Sequence, residues 1–89
     1  MDPSKIPALR RGIRRQYDSA RHAHVLLGPE RVIVLDDIAV EITNLLDGTR
    51  TLADISSTLA EKFAADIAQV QPDVTAFIEE LIEKGLATA

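Results

Sequence analysis

Cysteine is absent from the 89 residues, so no disulfide can staple the fold and no thiolate can hold a metal. That absence favours a reducing compartment, and the expected location is cytoplasmic. Tryptophan is missing too, and Tyr17, Phe63 and Phe77 are the only aromatics, which leaves the core to aliphatic side chains. The opening stretch "MDPSKIPALRRG" lacks an apolar leader region, and nowhere does an uncharged apolar run reach the roughly eighteen residues of a membrane span. Export and membrane insertion are therefore not expected. Glycine-rich phosphate loops are absent as well, since "GPERV" has neither the glycines nor the lysine that one needs.

What is present is an uneven charge. The formal net charge is -4, yet the basic residues gather early, with Lys5, Arg10, Arg11, Arg14, Arg15, Arg21 and Arg31 facing only Asp2, Asp18 and Glu30. The rest of the chain is acidic. The arginines read either as a solvated face or as a patch that steers an acidic partner.

Residues 1–12, with prolines at 3 and 7, read as a flexible N-terminal arm, disordered or docked elsewhere. Residues 13–89 read as a single domain. Alternation from Ile13 to Asp18 fits a half-exposed edge strand, Val25 to Leu27 a short strand, and "RVIVLD" a strong one, with "GPE" as the break between them. Asp36 or Asp37 then caps a helix whose apolar stripe is Ile38, Ile42, Leu45 and Leu46, with Gly48 placed as a left-handed C' residue. Thr51 and Asp54 form a capping-box pattern ahead of a second helix with Leu52, Ile55, Leu59 and Phe63 on its buried face. Pro72 fits the first turn of a third helix carrying Val74, Phe77, Ile78, Leu81 and Ile82, and Gly85 ends it. Between them "AADIAQVQ" suits either an extra turn or a separate connection. The expected fold is α+β and winged-helix-like, three short antiparallel strands followed by three helices.

Reactive groups do not converge. His22 and His24 lack further ligands at metal-site spacing, Asp36-Asp37 and Glu79-Glu80 are explained by a cap and a polar face, and no serine lies in a nucleophile context. The chain reads as no enzyme, with no cofactor of its own. Two binding readings remain. A winged-helix DNA-binding regulator is the first, and it is opposed by the acidity of the second and third helices, which offer only Lys62 and Lys84 as cations. A peptide-binding module is the second, because an edge strand displays unpaired N–H and C=O groups that an extended peptide completes. In it, Arg31, Val32, Ile33, Val34 and Leu35 form the docking edge, one face covering the core and the other joining the stripe of the third helix in a groove; the alternative is that both faces are buried, as in a homodimer. Which of Val32/Val34 and Ile33/Leu35 lines the groove stays open, as does whether Phe77 and Leu81 line it or belong to the core.

Four stretches carry a family resemblance: "RRQYD", "HVLLGPERVIVLDDIAVEI", "LLDGTRTLADI" and "DVTAFIEELIEKGL". In this order and spacing, from about Gly12 to Leu86, the chain resembles the pyrroloquinoline quinone biosynthesis protein D family of peptide-recognition domains. The resemblance implies a winged-helix-like fold without catalysis. It implies binding of the precursor peptide and its delivery to a radical S-adenosylmethionine enzyme, whose iron-sulfur clusters serve the crosslinking of a glutamate to a tyrosine. It places the peptide beside the third strand, Arg31 to Leu35, and against the third helix, Val74 to Ile82, with Val74, Phe77, Ile78, Leu81 and Ile82 as helix contacts. Nucleic acid and membrane are not among the implied partners; a homodimer is possible. Asp36 stands where members often have asparagine, and Leu86 where many have tryptophan.

Overall fold

A computed structural model describes residues 1–89, folded within 35 × 24 × 18 Å. Strands β2 (Arg14–Asp18), β3 (Ala23–Gly28) and β4 (Arg31–Leu35) form an antiparallel sheet in that order. Helices α1 (Asp37–Asn44), α2 (Leu52–Lys62) and α3 (Ile67–Glu83) follow. The α+β, winged-helix-like expectation describes this arrangement, with an addition. Two short strands, β1 (Ala8–Leu9) and β5 (Ala87–Thr88), pair antiparallel as Ala8 with Thr88 and Leu9 with Ala87, joining the two ends of the chain.

Of the two readings of residues 1–12, an arm disordered or docked elsewhere, the structure shows the docked one. Pro7 is buried, the Leu9 N–H donates to the Leu46 carbonyl, and the Arg10 N–H donates to Leu86. The carbonyls of Lys5 and Pro3 accept from the Leu52 and Ala53 N–H groups, 2.8 and 3.0 Å away. These are donors of the first turn of α2, which have no partner inside their own helix. The arm thus acts as a backbone cap, a role that a stretch without periodicity does not announce.

Register decides the sheet's two faces. Leu26 pairs with Ile33 and His24 with Leu35, while Val25 pairs with Val34 and Leu27 with Val32. Because side chains alternate across a strand, Leu26, Ile33 and Leu35 face the helices, and Val32 and Val34 face away, 51% and 58% exposed. The core under the sheet is aliphatic, uniting Leu26 and Leu35 with Ile42 and Leu46, Leu52, Ile55 and Leu59 of α2, and Val74, Ile78 and Leu81 of α3.

The caps follow local chemistry. Asp36 accepts from the Ala39 N–H at 2.8 Å, so it and not Asp37 caps α1. Thr51 and Asp54 complete a reciprocal capping box at α2. At the end of α3 the Leu86 N–H donates to the Leu81 carbonyl and the Gly85 N–H to Ile82, with Gly85 at φ 76°. This is a Schellman ending, and it turns Leu86 inward to a buried position.

Three expectations need correction. Helix α1 stops at Asn44, so Gly48 is not its C' residue; it sits at φ 81° in a turn where Asp47 accepts from the Thr49 N–H and hydroxyl. Helix α3 begins at Ile67, capped by Asp66, which leaves Pro72 inside the helix and makes most of "AADIAQVQ" helical. Phe63 closes α2 as its C-cap and is 48% exposed, and Ile38 in the first turn of α1 is 56% exposed, so neither is a core residue.

Candidate peptide-binding groove

β4 pairs with β3 along one side only, so its other side is an unpartnered edge of main-chain donors and acceptors. The α3 surface is divided by helical spacing. Val74, Ile78 and Leu81, at i, i+4 and i+7, are buried in the core. Asp73, Phe77, Glu80 and Lys84, at i, i+4, i+7 and i+11, form a neighbouring stripe. Phe77 and Glu80 on that stripe look across a hollow of about 590 Å³ towards Asp36, Ile38 and Phe63. At the far end, Lys84 shares a shallower depression with Glu30 and Arg31 to Val34. The two hollows share no lining residue, but the Lys84–Glu80 ion pair spans from one to the other, which defines a candidate path from the β4 edge to the three helices.

Of the ten residues expected at the site, the structure brings some together and separates others. Arg31, Val32, Ile33 and Val34 line the shallow end beside Lys84. Phe77 is half-buried and open to the deep end, and Val74 forms part of that hollow's floor. Leu35, Ile78 and Leu81 are buried core residues, which settles the orientation left open for Leu81. Their part is to hold the strand and helix in place from behind. Ile82 points elsewhere, to a hollow shared with Met1, Lys5 and Glu79 under the N-terminal segment.

Several groups at the deep end escaped the sequence reading. Ile38 and Phe63 look like core positions by periodicity, yet Ile38 in the first turn of α1 and Phe63 at the C-cap of α2, ahead of Ala64 at φ 50°, are both left open. The rim is acidic, with Asp36, Asp73 and Glu80 around a lining that is otherwise apolar apart from Gln69. Those carboxylates oppose a phosphate backbone, which removes the basis for a DNA-binding groove here. Both helix lysines are paired: Lys62 reaches Glu41 at 2.6 Å, and Lys84 reaches Glu80 at 2.8 Å, linking the two ends of the path. Arg31 has no such partner. His24 stacks edge-on against Tyr17 with ring centroids 5.1 Å apart and lies 3.2 Å from the Arg15 guanidinium, away from this path.

The family described as coenzyme PQQ synthesis protein D matches residues 23–87, the hairpin through β5. The chain belongs to that family. It is 50% identical over 80 residues to the PqqA binding protein of Xanthomonas euvesicatoria pv. vesicatoria (strain 85-10), covering 90% of this chain and 87% of the relative. The PqqA binding protein of Rhodopseudomonas palustris (strain HaA2) is 46% identical over 82 residues, with 92% and 80% covered. The chain is also similar to the solution NMR structure of the PqqD truncation of Methylobacterium extorquens PqqCD, described as a functional and stand-alone recognition element for ribosomally synthesized and post-translationally modified peptides. That similarity has a TM-score of 0.84 at 36% identity and covers 99% and 94% of the two chains. The crystal structure of PqqD from Xanthomonas campestris aligns with a TM-score of 0.62 at 45% identity, over 97% and 96%. Within the family match fall β3, β4 and all of the helices that frame the groove.

Proposed function

We propose that the free edge of β4 and the adjoining stripe of α3 receive the precursor peptide of pyrroloquinoline quinone as an added strand. The chain is a recognition element of that pathway and not an enzyme. One observation carries the site: an edge strand without a partner runs directly into Asp36, which lines a largely apolar hollow. An added strand gains main-chain hydrogen bonds whatever its sequence, and its alternate side chains supply selectivity by entering the hollow. Arg31 to Leu35 offer the backbone, Phe77 a side wall and Val74 the floor, while Ile78 and Leu81 support them.

Holding one part of a flexible peptide leaves the rest free to enter another protein. We infer that the receiving protein is the radical S-adenosylmethionine enzyme of the pathway, which brings its own cofactors. Joint binding raises the effective concentration of the peptide at that enzyme without a new contact to the reacting residues. The setting is the cytoplasm, and the exposed Val32 and Val34 give two copies a surface to share at high concentration, so the working form is a monomer that dimerises weakly.

Amide chemical-shift mapping with the precursor peptide, combined with hydrogen exchange, tests the groove. Amides of β4 shift and gain protection together with signals of Phe77 and Glu80. Unchanged β4 and α3 at saturating peptide would remove the reading.

A further inference from the structure

The deep end of the groove has a chemistry that an added strand alone does not require. Ile38 and Phe63 are large apolar side chains left exposed, on either side of a hollow whose interior is continued by Phe77, Val70 and Leu59. Its charged groups are all of one sign, Asp36, Asp73 and Glu80, and no lysine, arginine or histidine lines it. The opposite end of the path carries Arg31 and Lys84 against Glu30. A purely apolar anchor would be served by a neutral rim. Three carboxylates around an apolar hollow instead match a segment that carries a cation beside its apolar anchor: the apolar body fills the space between Ile38, Phe63 and Phe77, and the cationic head stays at the wet rim.

We propose that this hollow is an anchoring subsite for an apolar residue adjacent to a lysine or arginine in the bound peptide. The inference rests on the strand-addition reading and deepens it by naming which chemistry the peptide presents beyond the end of β4. Asp36 already accepts the Ala39 N–H as the cap of α1, and Glu80 already meets Lys84. The Asp73 carboxylate accepts no hydrogen bond and stands in no ion pair. It is the rim carboxylate most available to the peptide's cation, and its position in the middle of α3 makes it a clean site to alter.

The probe is the PqqA peptide of Xanthomonas campestris pv. campestris, titrated against wild type, Asp73→Asn, Asp73→Lys, Phe63→Ser and the control Glu61→Lys. Glu61 is an exposed residue of α2 that does not line the hollow. Amide spectra confirm that each variant is folded. Asp73→Asn weakens binding about 2- to 5-fold, and Asp73→Lys about 10-fold. Both losses shrink towards zero in high salt, whereas the loss in Phe63→Ser persists. Glu61→Lys, with the same change in net charge as Asp73→Lys, binds within about 2-fold of wild type. Equal affinity of Asp73→Lys and Glu61→Lys overturns the subsite, as does unchanged affinity of Phe63→Ser. The shifts of β4 amides, followed in the same titrations, separate the two ideas: β4 shifts with unaffected variants keep the added strand and lose the subsite, while weakened variants with silent β4 amides keep the subsite and lose the added strand. Absence of any binding removes both.

Discussion

Ser56 is fully buried on α2, and its hydroxyl has no hydrogen-bond partner. A buried polar group without a partner costs about 1–3 kcal/mol, and alanine has the higher helix propensity. Ser56→Ala is therefore expected to stabilise the fold by about 1 kcal/mol, read from the midpoint of urea unfolding; a lower midpoint would show that the hydroxyl has a role. Gly28 gives the opposite case. A methyl group there would stand 2.7 Å from Leu86 Cδ2 and 2.8 Å from Ile13 Cδ1. Leu86 is buried and held by the Schellman turn, so it has little room to withdraw. Gly28→Ala should cost about 1–2 kcal/mol in the same measurement. The "GPE" break was legible in the sequence, but the reason for a glycine at its start was not, because Leu86 lies far along the chain.

Elements were legible where their signals were local. The capping box at Thr51 and the Asp36 cap follow from residues three apart, and β4 follows from its own β-branched run. What was hidden depends on distant partners. Pro72 reads as a helix start because proline is favoured in a first turn, yet Asp66 caps the helix earlier and the proline is carried inside. Its ring removes a donor that an interior residue supplies. Pro72→Ala is thus expected to raise stability by about 1 kcal/mol or more, seen as a higher unfolding midpoint. The N-terminal arm is the other case, since nothing in "MDPSKIP" predicts that Pro3 and Lys5 carbonyls will meet the open end of α2. Removing residues 1–7 leaves the Leu52 and Ala53 donors without these acceptors and should cost about 1–3 kcal/mol, with the earliest loss of amide protection in the first turn of α2. The groove was legible only in outline. The strand and helix were named, but the split of α3 into a core stripe and a groove stripe, and the openness of Ile38 and Phe63, emerge from packing.

Over the whole molecule the charge asymmetry of the sequence becomes spatial. β2, with Arg14 and Arg15, is the sheet edge opposite β4, so these arginines cannot touch a strand added at β4. Replacing both by serine should leave the peptide's dissociation rate unchanged and alter only a salt-sensitive association rate, which stopped-flow measurement resolves. Acid sensitivity follows from three carboxylates held below their ordinary range: Asp2 chiefly by the Ser4 N–H, Asp18 at the end of β2 chiefly by the Arg21 side chain, and Asp47 chiefly by the Thr49 hydroxyl. Since their folded values are depressed, their stabilisation is present above the usual carboxylate pKa and is lost as pH falls through the lowered values. The unfolding midpoint should accordingly decline below about pH 4, and less so in Asp18→Asn.

Pairing Ala8 with Thr88 brings the two ends of the chain to one place, where Met1 and Ala89 border the same hollow on the side of α3 turned from Phe77. Such a domain can be grafted. Joined to another polypeptide at either end, it keeps the proposed peptide edge of β4 unobstructed, because the junction and Phe77 lie on different sides of one helix. Circular permutation is then permitted by geometry: a short linker from Ala89 to Met1, with new ends opened between Arg21 and His22 in the β2–β3 turn, should yield a folded chain that still recognises its peptide.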